Sequence, residues 1–114
     1  MAECLFCAIV AGEIPAAKVL ETDRILAFRD IAPQAPIHVL VIPKEHHLDL
    51  AALAAADGGL LGEVINGAHR VAADEGVSQT GYRVVFNTGA HAGQEIPHVH
   101  GHVLGGRSLA WPPG

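Results

Sequence analysis

One stretch constrains the fold more than any other: His38-Val39-Leu40-Val41-Ile42, an unbroken and largely β-branched run with Pro36 shortly before it and Pro43 directly after. Proline stops a helix and cannot donate to a strand ladder, so this run suits a short strand confined between the two. A strand without polar alternation is buried on both faces. The composition can supply that cover. Half of the 114 residues are apolar, 17% are charged and 4% are aromatic, so the core is aliphatic, with Phe6, Phe28, Phe86, Tyr82 and Trp111 as single features. A chain of this length makes one compact domain, expected over residues 1–114.

The remaining elements follow from local signals. Residues 4–11 are apolar and run into Gly12, which suits one or two helical turns. Residues 17–21 and 24–29 flank Thr22-Asp23 as a hairpin. Asp49 and Asp57 are placed to cap a short helix and a longer one that runs to about Glu75, where Gly76 ends it. Leu60, Leu61, Val64, Ile65, Ala68, Val71 and Ala72 form its apolar stripe, which Gly62 and Gly67 weaken. Residues 82–86 and 98–104 read as strands and residues 87–97 as a Gly-rich loop. The sum is an α+β domain of two layers: a five-stranded antiparallel sheet with one long and one short helix.

A formal charge of −5 gives no electrostatic reason to expect a nucleic acid polymer or an anionic membrane as partner. No apolar run reaches the length of a membrane span, and Met1-Ala2-Glu3 lacks the basic start of a secretory signal, so a cytoplasmic place is expected. Two cysteines, Cys4 and Cys7, read there as free thiols or half of a metal site. Eight histidines are an excess, and the chemistry is expected among them.

Three of them alternate in His98-Val99-His100-Gly101-His102-Val103-Leu104. Strand side chains change face with a period of two, so the three imidazoles share a face, where they can supply a nucleophile and proton donors. An imidazole whose Nδ1–H is held by a carbonyl keeps Nε2 unprotonated at pH 7 and attacks without a separate base. His102 is the candidate general acid, relayed through His38; His98 either orients its neighbours or is a satisfied core histidine. The glycines of residues 87–94 let backbone N–H groups approach an anion, with the amides of Asn87 and Gln94 as further donors.

This motif resembles the histidine triad superfamily. The likeness extends through Ala27-Phe28-Arg29-Asp30, Val41-Ile42-Pro43-Lys44, Gly93-Gln94 and the tail Leu104-Gly105-Gly106-Arg107 with Trp111-Pro112-Pro113-Gly114, and it is closest to the Hint branch of purine nucleoside phosphoramidases. The resemblance implies attack by His100 on the α-phosphorus of a nucleoside 5′-phosphoramidate, through a nucleotidyl-histidine and without a catalytic cofactor. It implies Asp30 as acceptor for the ribose hydroxyls and Leu5, Phe6, Ile9, Phe28 and Ile31 as the purine slot. Glu95 stands where the family has a serine, which leaves the Gly93 and Glu95 amides as substitutes. Gly101 departs from the family's apolar residue and faces away from the triad.

Some bacterial relatives resemble the Cys4-x-x-Cys7 arrangement with a structural zinc, which here implies His46 and His98 as the other ligands; free buried thiols are the alternative. Trp111-Pro112-Pro113-Gly114, the end of the tail 105–114, is too apolar and stiff for an ordinary frayed end and is expected to dock. The resemblance implies a homodimer with one continuous sheet, the tail and Trp111 reaching the partner's site. Two other functions fit the same residues: a nucleotide-binding module with vestigial catalysis, and a dinucleoside polyphosphate hydrolase.

Overall fold

The computed structural model describes residues 4–114; Met1-Ala2-Glu3, on which the reading of the N-terminus rests, lie outside the described residues. The elements in order are α1 (Leu5–Val10), β1 (Lys18–Glu21), β2 (Ile25–Arg29), β3 (Ile37–Pro43), α2 (Leu50–Ala56), α3 (Gly58–Asp74), β4 (Tyr82–Phe86) and β5 (Gly101–Gly105). The strands form one sheet in the order β1-β2-β3-β5-β4, every neighbour antiparallel. β3 lies at the centre, as its apolar run requires. The hairpin between β1 and β2 turns on Thr22, whose Oγ1 accepts the Ile25 amide at 3.0 Å and the Arg24 amide at 3.3 Å.

Alternation along β3 divides the core. Val39 and Val41 point into a large cluster with Leu53 of α2 and Leu60, Val64, Ala68, Val71 and Ala72 of α3. Leu40 and Ile42 point the other way, into a smaller cluster with Leu26, Phe28 and, from α1, Phe6 and Ile9. The sheet is therefore covered on both faces rather than in two layers, because the helical turns read over residues 4–11 form α1 in addition to the short helix α2. α2 joins α3 on the larger core, while α1 covers the opposite face.

Asp57 Oδ1 caps α3 by accepting the Leu60 amide at 3.0 Å, and Asp49 caps α2 through the Ala52 amide at 2.9 Å. Ile65 does not belong to the buried stripe. It is 40% exposed, because it sits beside Val64 on the outer flank of the helix. Gly67 is buried instead: a Cβ there would lie 3.3 Å from Val41 Cγ1, so its bare backbone lets α3 approach the sheet.

The motif strand is shorter than predicted. β5 begins at Gly101, and residues 98–100 precede it in a turn where the His98 amide donates to Ile96 O and the Val99 amide to His47 O. The alternation of faces survives without the ladder. Val99 and Val103 enter the larger core, and His98 and His100 lie against Phe6 on the α1 face. Gly101 turns away from the histidines, as predicted, and the ring of Phe86 fills the space where a side chain would stand.

Candidate active site

The α1 face carries the chemistry. His98 is fully buried, His38 and His100 are 6% and 8% exposed, and the ring centroids of His100 and His102 are 4.9 Å apart. Hydrogen-bond partners fix where the protons sit. His100 Nδ1 lies 2.7 Å from the His98 carbonyl oxygen, which can only accept, so Nδ1 donates and Nε2 keeps its lone pair.

The second chain of contacts starts from the main chain. The Gln34 amide donates to His38 Nδ1 at 3.0 Å, so the His38 proton is on Nε2, which donates to His102 Nδ1 at 2.9 Å. That leaves the His102 proton on Nε2. This atom is buried and without a partner among the described residues, a donor beside the nucleophile's ring. Asp30 Oδ2 stands 3.5 Å from His38 Nε2, and its Oδ1 accepts the Ala32 amide at 2.8 Å. Burial pulls the pKa of His102 down to about 4, aided by His100 and His38 and opposed by Asp30. His38 is lowered for the same first reason.

His98 uses three of its atoms. Its carbonyl holds His100, its Nε2 donates to Pro43 O at 2.8 Å, and its Nδ1 lone pair therefore faces Cys4 Sγ at 3.4 Å, Cys7 Sγ at 3.5 Å and His46 Nδ1 at 3.3 Å. Burial lowers its pKa to about 4, with the Pro43 carbonyl opposing. Cys7 Sγ is 3.3 Å from His46 Nδ1. Tetrahedral zinc with nitrogen and sulfur ligands has ligand-to-ligand edges of about 3.3 to 3.8 Å. The four residues fit that ion in donor type, count and spacing.

Asp30, His38 and His102 also bring three ligating atoms together, but they fit a metal poorly. For His38 to ligate through Nε2 its proton must move to Nδ1, against the incoming Gln34 N–H. The donors of this cluster are arranged for protons, whereas those of the cysteine cluster fit a cation.

Beside the histidines lies a cavity of about 470 Å³. Leu5, Phe6, Ile9, Phe28, Asp30 and Ile31, all predicted for the nucleoside, line it, as does Glu95. Phe6 and Asp30 join it to the imidazoles: the Phe6 ring stands edge-on to His100 at 5.1 Å, and Asp30 reaches His38. The sequence reading missed Pro15, Ala16 and Ala17 in the wall, residues without a chemical signature, and the Gln34 amide that sets the relay's protons.

Four predicted binding residues sit elsewhere. Gln94 spends its side chain on the loop, accepting the Gly89 amide and donating to Leu48 O and Ile96 O, and its amide closes onto Gly89 O. The Gly93 amide likewise donates to Ala90 O, so neither supplies a free donor. Asn87 and Trp111 do not line the cavity; Trp111 is 80% exposed, with the Arg83 guanidinium over its ring. Arg107 Nη2 donates to Gln34 O at 2.8 Å and ties the start of the tail to its own chain, while Trp111 stays exposed. Of the three histidines outside these clusters, His47, His69 and His91, the last two are exposed. His47 is not: its side chain is 14% exposed and its carbonyl anchors Val99.

The comparisons with known proteins agree with this geometry. A family model described as HIT domain matches residues 11–109. An uncharacterised HIT-like protein of Synechococcus elongatus is 51% identical over 112 residues, covering 98% of this chain and 97% of its own. The purine nucleoside phosphoramidase of Escherichia coli K12 is 43% identical over 107 residues, covering 94% of this chain and 90% of that protein. Among solved structures, a HIT family hydrolase from Legionella pneumophila has a TM-score of 0.95 at 51% identity, covering 98% of this chain and all of that one. A histidine triad protein from Clostridium difficile gives 0.92 at 41% identity, with 96% of each chain covered. With its triad, its sheet and most of its length matched, the chain belongs to the HIT domain family.

Proposed function

We propose that the chain is a hydrolase of nucleoside 5′-phosphoramidates, with purine nucleotides as its ligands and His100 as its nucleophile. One observation carries the reading: His100 Nδ1–H is tied to the His98 carbonyl, so Nε2 keeps its lone pair, and the Phe6 ring against which His100 packs lines a cavity of nucleoside dimensions. The phosphoramidase name of a 43% identical relative supports the substrate class. Adenine or guanine fits the apolar wall of Leu5, Phe6, Ile9 and Phe28, and the Asp30 carboxylate accepts from the ribose hydroxyls.

In the first step Nε2 of His100 bonds to the α-phosphorus and the bond from phosphorus to the leaving nitrogen breaks. That nitrogen departs as a neutral amine only if it receives a proton. The Nε2–H of His102 is the donor in place, and an anionic phosphoryl group raises its proton affinity against the lowering by burial. As the anion binds, the pair takes up one proton from solvent, shared by His38 and His102 beside Asp30, so that donation to the leaving nitrogen returns both rings to neutrality. Charging that pair displaces the Gln34 N–H bond, which helps to keep it neutral until the anion arrives. Water then attacks phosphorus, returns its proton to His102 and frees His100 with release of the nucleoside monophosphate.

Cys4, Cys7, His46 and His98 would hold zinc, which closes its tetrahedron with four protein ligands and so acts as a structural tie. The free thiols suit the reducing cytoplasm. The partly buried edge strand β4 and the exposed Trp111 support a homodimer.

The test is product analysis by 31P NMR with adenosine 5′-phosphoramidate and, separately, diadenosine tetraphosphate. AMP from the first and little cleavage of the second is the expected result. His100→Ala should lower kcat at least ~10³-fold, as loss of an enzymic nucleophile does. Cleavage by His100→Ala at the normal rate would contradict the proposal.

A further inference from the structure

We propose that metal occupancy at Cys4, Cys7, His46 and His98 sets the nucleotide affinity of the neighbouring cavity, through α1 and the His98 carbonyl. This rests on the zinc and nucleotide readings above and adds a coupling between the two sites.

The coupling follows from how little else holds α1. It has six residues, far below the length at which an isolated helix is stable in water. Its N-cap is Cys4, whose Sγ accepts the Cys7 amide at 3.3 Å, so the residue that starts the helix is also a metal ligand. Cys7 lies one turn on, and between the two ligands are Leu5 and Phe6, which wall the cavity.

The other two ligands come from the sheet side. His46 follows β3, and His98 is tied to the end of β3 by its bond to Pro43 O at 2.8 Å. A cation bound by all four would join the sheet to α1, whose Leu5 and Phe6 line the cavity. The Phe6 ring passes that restraint on, because it packs edge-on against Phe28, His98 and His100 with centroids 5.4, 6.0 and 5.1 Å away. Without the cation, α1 keeps only Phe6, Ala8 and Ile9 as buried anchors, and His98 loses the restraint on Nδ1 while its carbonyl still carries His100.

Binding a purine then has to order α1 as well as fill the cavity, which weakens it. Linkage makes the effect mutual: the factor by which zinc tightens nucleotide binding is the factor by which nucleotide tightens zinc.

The experiment titrates AMP by calorimetry into the full chain, zinc-loaded and chelator-stripped, and titrates zinc with and without saturating AMP. Hydrogen exchange is followed over residues 4–14 and over α3. Expected are one zinc per chain, an AMP Kd at least tenfold weaker after stripping, and the same factor in zinc affinity. Protection should fall over residues 4–14 and remain over α3. His46→Ala, which removes the most exposed ligand, should reproduce the weaker AMP binding without a chelator. Zinc-loaded and stripped protein with equal AMP Kd overturns the coupling alone. Absence of zinc binding, or of AMP binding by the loaded protein, overturns the underlying reading and the coupling with it. Loss of α3 protection on stripping shows general unfolding and overturns the local mechanism.

Discussion

The chemistry is decided by which ring atoms meet which main-chain groups. His98, His100 and His38 have identical side chains, yet their partners set two proton placements: Pro43 O and the Gln34 N–H keep it on Nε2 of His98 and His38, and His98 O holds it on Nδ1 of His100. His102 carries a consequence for stability. Its folded pKa, about 4, lies below the ordinary imidazole value, so it is neutral in both states above pH 6.5 and costs nothing there. As pH falls from 6.5 to 4 the unfolded chain takes up the proton first and stability drops. Over that window the Tm of wild type should fall further than that of His102→Gln; equal losses would contradict the assignment. Gly101 gives a steric prediction: a Cβ there would be 2.8 Å from Phe86 Cζ, so Gly101→Val should destabilise by about 1 to 3 kcal/mol. Denaturant titration should show Phe86→Leu recovering part of that loss in the double variant. The sequence reveals Gly101 as a departure and shows that it faces away from the triad. It cannot show Phe86 in its place, because the pairing of β4 with β5 is not written in either strand.

At the scale of elements, α3 tests the same logic with two glycines. Nothing lies within 4 Å of a Cβ at Gly62, so Gly62→Ala should stabilise by about 0.5 to 1 kcal/mol through helix propensity. Gly67 meets Val41 and Ile25 at 3.3 and 3.4 Å, and Gly67→Leu should destabilise by about 1 to 3 kcal/mol or more. Chemical denaturation of both variants checks the opposite signs. Periodicity and caps expose the helices and the central strand in the sequence, since Asp49, Asp57 and the prolines around β3 act locally. Two things escape that reading. The start of β5 depends on the Val99 amide finding His47 O rather than a strand partner, and the donors of Gly93 and Gln94 are consumed by a turn whose closure only the folded loop reveals.

For the whole molecule, one sheet separates two tasks. The α3 face holds most of the aliphatic core, while the α1 face carries the histidines, the cavity and the cysteine cluster. Among the described residues no helix is long and apolar enough to cross a membrane. β4, the edge strand next to β5, is only partly buried throughout, and Trp111 is 80% exposed, which supports the proposed dimer. Sedimentation at micromolar concentration should therefore give twice the 11.9 kDa chain mass, and a stable monomer would contradict the dimer. The family likeness is legible in the sequence because its motif residues act as a contiguous block, whereas the proposed dimer surface is spread over β4 and the tail. The central claim is that His100 Nε2 bonds to phosphorus. Rapid quenching of the enzyme with an adenosine 5′-phosphoramidate, followed by peptide mass spectrometry, should find an adenylyl group on His100 in wild type and none in His100→Ala; an adduct on His98 or His102 instead, with turnover intact, would contradict it.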